Sequence, residues 1–377
     1  MMTTHRVLRA ALSAIVLMSV GGAAEAEGRL DKVLKRVKLP PGFKINVFAE
    51  IPKPRSLVIG RPLGTVFVGS RHGTVYALRD TNRDGKADQI HKLSGGLDVP
   101  NGVAFQDGML YVAENKRIFR WAVPAEFDLT LPLQPRIPVY TKLPPKFLHG
   151  WRYAAFGPDR KLYVAIGAPC NICKLSGFEG SIIRMDANGK NVEVYARGVR
   201  NSVGFDWHPK TKQMFFTDNG ADGMGDDIPP DELNRVTAKG QHFGYPFLGG
   251  KIKLAGMEKA KAPAGAVPPA VEFQAHTANL GIHFYTGKMF PKAYQNDAFV
   301  AQHGSWNRTK PVGYRIMRIR FNAKGEPTGK EVFAGGWLQG EDASGRPVDI
   351  KTLPDGSLIV SDDYANVIYR ISYDGTK

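Results

Sequence analysis

Runs of four or five apolar residues, each opened by a turn, recur along this chain, and the three- and four-residue spacing of amphipathic helices is scarce. They read "LGTVFVGS", "DGMLYVAE", "RKLYVAIG", "KQMFFTDN", "NDAFVAQH" and "GSLIVSDD". Each is followed by a second β-rich run, often with a basic residue: "TVYALRD", "RIFRWAV", "SIIRMDANG", "ELNRVT", "YRIMRIR" and "VIYRISYDG". The unit repeats at roughly 55 to 60 residues, room for a four-stranded blade with its loops. Six units predict an all-β fold, a six-bladed β-propeller of four-stranded antiparallel blades. The early "GFKINVFAEI" alternates apolar and polar residues like an outer strand, and is expected to complete the last blade and remove an exposed edge. The stretch "FLGGKIKLAGMEKAKAPAGAVPPAVEF" between the fourth and fifth units reads as a loop over one face.

The first residues have a different pattern. Arg6 and Arg9 precede an apolar core from Ala10 to Val20, and Ala24-Glu25-Ala26 is a small-x-small cleavage site. Residues 1–26 therefore read as a secretory signal peptide and residues 27–377 as one propeller domain. The apolar run is short for a membrane span, so the expectation is a periplasmic or secreted protein with no integral membrane segment after cleavage. The net charge of +16 raises nucleic acid as a partner, but the basic residues are scattered and form no run or basic helix. Small anions, an acidic redox partner or an envelope surface suit this distribution better.

The only cysteines, Cys170 and Cys173 in "APCNICKL", lack the further ligands of a metal site, and Lys174 stands where covalent haem attachment needs histidine. An export-compatible disulfide is the expected state.

Four loop constellations carry candidate chemistry. His149 lies in "FLHGW", and Arg200 with Asn201 in "RGVRNSVGFDWHP". The acidic, Gly-rich "TDNGADGMGDDIPPDELN" follows the fourth inner strand, and "AQHGSWNRTKP" groups His303, Trp306, Asn307 and Arg308. Their recurrence at equivalent blade edges matters because such loops converge at the mouth of a propeller's channel.

Together "HGWRYAAFGPDRKLYVAIG", "RGVRNSVGFDWHP", "ELNRVTAKGQHFGYP" and "GIHFYTGKMFP" resemble the soluble pyrroloquinoline-quinone (PQQ)-dependent aldose sugar dehydrogenases. "HGSWNR" points to the glucose/sorbosone dehydrogenase branch, with L-sorbosone dehydrogenase-like features, and the resemblance runs from about Pro40 to the C-terminus. It implies a six-bladed propeller and an oxidoreductase that passes hydride from an aldose or sugar aldehyde to calcium-bound PQQ. Electrons would then go to an external soluble or membrane acceptor, a cytochrome or a quinone. By resemblance His149 is the general base, Arg200 the cation beside the reactive carbonyl, and Asn201 a donor to the same edge. Gly220 and Ala221 match the backbone carbonyls that hold calcium. Arg308 and Arg346 match cations for the cofactor carboxylates, and Trp306 an aromatic wall.

Three departures from the family pattern stand out: Leu148 directly before the base, Asn307 near an expected lysine, and Val348 for an expected arginine. Lys310 or Arg308 could compensate, and His303 or His276 could replace His149 as base. A propeller lactonase-type hydrolase and a non-catalytic binding propeller are the competing readings. Separately, "DTNRDGKAD" places Asp80, Asn82, Asp84 and Asp88 around Gly85, like the first part of a calcium loop without its final glutamate. A second calcium site and a plain Asx-rich turn both remain open there.

Overall fold

The computed structural model describes residues 28–60, 64–124, 135–145 and 148–375; the expected signal peptide lies outside them. Among the described residues, six four-stranded antiparallel sheets follow one another as the blades of a β-propeller. Blade 1 runs Pro54–Ile59, Val66–Ser70, Val75–Arg79, Gln89–Ser94; blade 2 Gly102–Gln106, Met109–Ala113, Ile118–Ala122, Ile137–Tyr140. Blade 3 is Ala154–Phe156, Leu162–Ile166, Ser181–Met185, Glu193–Arg197; blade 4 is Phe205–Trp207, Met214–Asp218, Asp231–Val236, Val271–Phe273. Blade 5 is Asn279–Phe284, Ala298–Gln302, Arg315–Phe321, Pro327–Ala334; blade 6 is Pro347–Thr352, Leu358–Asp362, Val367–Tyr373 and, from the other end of the chain, Phe43–Glu50.

Burial explains the sequence pattern. The second strands Val66–Ser70, Leu162–Ile166, Met214–Asp218, Ala298–Gln302 and Leu358–Asp362 are buried at every position. Neighbouring blades cover both their faces, so they read as mostly apolar runs, with buried polar residues such as Asp218, Gln302 and Asp362 only toward their ends. The apolar side chains gather into a cluster at each blade–blade junction, such as Phe67, Val75, Val112 and Phe119 between blades 1 and 2. Phe215, Leu233, Ile282 and Val300 do the same between blades 4 and 5.

The strands read from sequence as inner are second from the axis. A preceding strand, shorter or more polar, lies inside each of them and packs against its counterpart in the next blade, as Pro54–Ile59 does on Gly102–Gln106. Two glycines permit this backbone approach. A Cβ at Gly102 would lie 2.2 Å from the Arg152 carbonyl oxygen, and one at Gly204 would lie 2.2 Å from that of Leu280.

The long insertion also differs from expectation. It forms a small hairpin, Leu248–Gly249 with Ile252–Lys253, and its end, Val271–Phe273, returns as the outermost strand of blade 4. The expected closing strand does close the ring, antiparallel from Phe43↔Tyr373 to Glu50↔Val367. Phe43 locks it edge-on against Phe290 and Phe333, with ring centroids 4.7 and 5.1 Å away. Phe43→Ala should therefore lower the stability to guanidinium unfolding by about 3 kcal/mol, the cost of a large-to-small change in a packed aromatic cluster.

Candidate active site

Loops from several blades enclose a cavity of about 640 Å³ at one end of the channel. His149, Arg200, Asn201, Gly220, Trp306 and Arg346 all line it, so the fold brings together most of the residues singled out from sequence. Its wall also includes Val203, Leu280 and Trp151, which pack on buried Val348. The Val348 departure thus provides an apolar floor. Leu148, 50% exposed, lines the mouth.

His149 occupies the left-handed region (φ +53°), a conformation rare outside glycine. Gly167, at the end of its blade 3 strand, makes room for it, since a Cβ there would lie 2.4 Å from the Cβ of His149. The imidazole Nδ1 lies 2.8 Å from the Ala168 carbonyl oxygen. A carbonyl only accepts, so Nδ1 carries the hydrogen and Nε2 is left as the basic nitrogen. Burial, then the Arg200 guanidinium, lower its pKa from 6.5 to about 4. The ring is neutral at physiological pH.

Arg200 is held on every side. Its Nε donates to the Asn171 carbonyl (3.1 Å), Nη2 to Asn171 Oδ1 (2.7 Å) and Asp222 Oδ2 (2.8 Å), and Nη1 to the Asn219 carbonyl (3.2 Å). Asn171 also accepts from the Asp222 amide at 2.8 Å and donates to its carbonyl at 2.7 Å. This asparagine lies inside the four-residue ring closed by the Cys170–Cys173 disulfide. The bridge thus shapes a loop that clamps the site's buried cation, a role the cysteine spacing did not reveal. Asn171 is a site residue that sequence reasoning missed, and Asp222 was marked only as part of the acidic loop, because their importance lies in partners far along the chain.

Below Arg200 and Asn201, Asp218 accepts both backbone amides, at 2.8 and 2.6 Å. It faces Glu232 across the strand pair of blade 4. Burial, then Asp218's charge, raise the Glu232 carboxyl; burial raises Asp218 as well.

Several expected residues stand elsewhere. Arg308 is not on the cavity wall: it donates to the Asp226 carbonyl (2.6 Å) and to Asp227 (2.9 Å), pinning the acidic loop. Lys310 is exposed and also off the wall. Ala221 is buried behind the wall, while Gly220 reaches the cavity. Arg346 does line it, with Nε donating to the His303 carbonyl at 2.9 Å and Nη2 to that of Gly304.

In the loop from Asp80 to Asp88, Asp80 accepts the amides of Asp84 and Gly85, and Asp88 those of Thr81 and Asn82. These are the bonds of a self-satisfied turn. Among the described residues, no group of three or more His, Cys, Asp and Glu could hold a metal ion.

The side-chain oxygens of Asn201, Asn219 and Asn307 are buried without partners, and all three residues line the cavity. The carbonyls of Gly220 and Ala221 accept no hydrogen bond among the described residues. Uncommitted oxygens beside buried guanidinium groups are the donor set that a hard cation and a polyanionic ring system require, so the residues present fit such a pair.

Comparison with known proteins gives the context. An uncharacterized protein of Borreliella burgdorferi is 36% identical over 362 residues, covering 91% of this chain and 93% of its own. The chain belongs to the same family as that protein. A TrAA12-like family model matches residues 255–374. A Trichoderma reesei structure of carbohydrate-active enzyme family AA12, described as a calcium structure, superposes with TM-score 0.79 at 19% identity, covering 90% of this chain and 97% of that one. The holo PQQ domain of pyranose dehydrogenase from Coprinopsis cinerea gives 0.74 at 17%, covering 89% and 97%. The apo soluble aldose sugar dehydrogenase of Escherichia coli gives 0.65 at 17%, covering 88% and 100%. At these identities the structures share the fold. Among the described residues, no helix is long and apolar enough to cross a membrane.

The Asn171 clamp is open to test. Asn171→Ala leaves the buried Arg200 guanidinium short of a partner, so unfolding free energy should fall by about 1–3 kcal/mol in a denaturant titration.

Proposed function

We propose that this protein is an exported PQQ- and calcium-dependent dehydrogenase of sugars, oxidising an aldose or a sorbosone-like sugar aldehyde. The observation that carries the reading is the His149 imidazole on the cavity wall, neutral and with Nδ1 committed to Ala168. Nε2 is then the one ring nitrogen able to accept the proton of a substrate hydroxyl. When bound, the ortho-quinone supplies a two-electron acceptor for the hydride leaving the substrate carbon, with calcium as Lewis acid.

The chain's own residues bind and orient. Arg200 cannot swing away, because Asn171, Asn219 and Asp222 hold its guanidinium; it therefore presents fixed positive charge where oxyanion character develops. Arg346 and Asn201 are the proposed holders of the cofactor's polar edge, with the carbonyls of Gly220 and Ala221 as calcium ligands. Asn307 takes the polar position on the cavity side that Arg308 leaves, and it is held by Asp222 at 2.7 Å. Trp306, 76% exposed at the mouth, offers a flat apolar face to a sugar ring. The electron acceptor is external, and the fold similarity to PQQ enzymes supports the cofactor assignment.

Purified protein titrated with PQQ should develop a bound-cofactor spectrum only when calcium is present, and addition of sugar should bleach it. An unchanged spectrum with both cofactor and metal in excess would remove the proposal.

His149→Gln should retain the cofactor, yet turnover per bound quinone should fall by roughly two to four orders of magnitude. In the parent protein the base is protonated only as pH falls through about 4, so its activity should hold between pH 6.5 and 5 and decline below that. A pH–rate profile with a midpoint near the ordinary histidine value would contradict this environment.

A further inference from the structure

One wall of the cavity carries a positive charge that the proposed mechanism does not use. Arg55 and Arg71 both lie over the Trp151 ring, with guanidinium carbons 5.0 and 4.4 Å from the ring centroid. Both pair with the same oxygen of Asp363, at 3.0 and 3.3 Å. The other Asp363 oxygen accepts from His303 Nε2 at 2.7 Å.

Charge balance follows from these contacts. Burial, ahead of the other influences, brings His303 down to about 4, so the imidazole is neutral at physiological pH. Although burial opposes it, the neighbouring His303, Arg55 and Arg71 hold Asp363 well below the usual carboxylate range. Two guanidinium groups thus share one carboxylate, leaving one positive charge in excess. Asp222 and Asp231, the acids lining the cavity, are already engaged. Asp222 accepts from Arg200 and Asn307, and Asp231 from Gly220, Thr277 and Ala278.

The excess has one outlet. Arg55 is buried, with Nε donating to Asn101 at 2.9 Å. The Arg71 side chain is 43% exposed, lines the cavity, and meets Asp363 through Nη1. Among the described residues its guanidinium donates through Nη1, and Nε and Nη2 have no hydrogen-bond partner. The Arg71 guanidinium lies over the Trp151 ring, which restrains that free edge, and Trp151 stands two residues from His149.

We infer that Arg71, braced by Trp151 and Asp363, is a carboxylate-binding subsite, and that the substrate class is the sugar acids, uronates above all. The inference rests on the dehydrogenase reading for its chemistry. The anomeric hydroxyl would give its proton to His149 and the anomeric carbon would lose its hydrogen as hydride to the quinone, giving the lactone, while the carboxylate stays unreacted on the guanidinium. A planar fork with two free N–H groups matches a carboxylate in bidentate geometry, which a neutral hydroxymethyl group does not.

The test compares D-glucuronate with D-glucose on protein loaded with PQQ and calcium. The parent protein should show higher kcat/KM for glucuronate, with an advantage that shrinks as salt rises. Arg71→Gln should reduce the glucuronate-to-glucose ratio of kcat/KM about ten- to hundredfold, mainly through KM. Equal kcat/KM for the two sugars in the parent, or an equal loss for both in the variant, overturns the inference. So does weaker PQQ binding by Arg71→Gln in a spectral titration, which would assign the arginine to a cofactor carboxylate. Calorimetric titration of glucuronate into parent and variant reads the subsite without turnover. If neither sugar is oxidised but glucuronate binds in an Arg71-dependent way, the dehydrogenase reading fails and the subsite stands. Binding that does not depend on Arg71 removes the subsite.

Discussion

A blade of this molecule is buried on both faces only when the ring is complete, so the pairing of Phe43–Glu50 with Val367–Tyr373 is the contact on which the rest depends. Without it, blade 6 would present a free strand edge. The clusters on either side of that blade would also lose part of their packing. Phe48 and Ala49 sit in the cluster shared with blade 1, and Phe43 in the one shared with blade 5. Closure joins the two ends of the chain, so its reward comes only after about 320 residues of loop have been ordered. The apolar junctions between successive blades provide the local gains that precede it.

The cavity depends on the same closure. His149 precedes the first strand of blade 3, Arg200 and Asn201 lie between blades 3 and 4, and Arg346 precedes blade 6. No blade contains the site. Polar satisfaction then shapes it in detail. The side chains of Arg200 and Asp363, both largely buried, would be costly alone, and each is surrounded by partners drawn from other blades. The asparagine oxygens left unpaired on the wall are the contrast, and a buried polar atom without a partner is where a ligand finds its bonds.

Much of the fold was legible because blade strands are encoded locally. A strand covered on both sides is apolar over most of its length, so six short apolar runs announced six blades, and the alternating "GFKINVFAEI" announced the outer strand that closes them. The innermost strands escaped notice. Ala154–Phe156 and Phe205–Trp207 have only three residues each, and backbone contact with the next blade matters there more than side-chain pattern. Val271–Phe273 escaped for another reason: an insertion separates it from the strand it pairs with.

For the site, sequence by itself determined which loops carry imidazole, guanidinium and amide groups, and His149, Arg200, Asn201, Gly220, Trp306 and Arg346 do meet at one cavity. Only the tertiary structure decided what each group is free to do. Arg308 and Arg71 are equally basic in sequence, yet Arg308 is tied to Asp226 and Asp227 while Arg71 keeps an unpaired edge beside Trp151. Asn171 is an ordinary loop residue until the fold sets it against Arg200, 29 positions away. The physical reason is range. Strand formation follows from neighbours one and two residues apart, whereas the charge, protonation and freedom of a side chain depend on groups that only chain closure brings within a few ångströms.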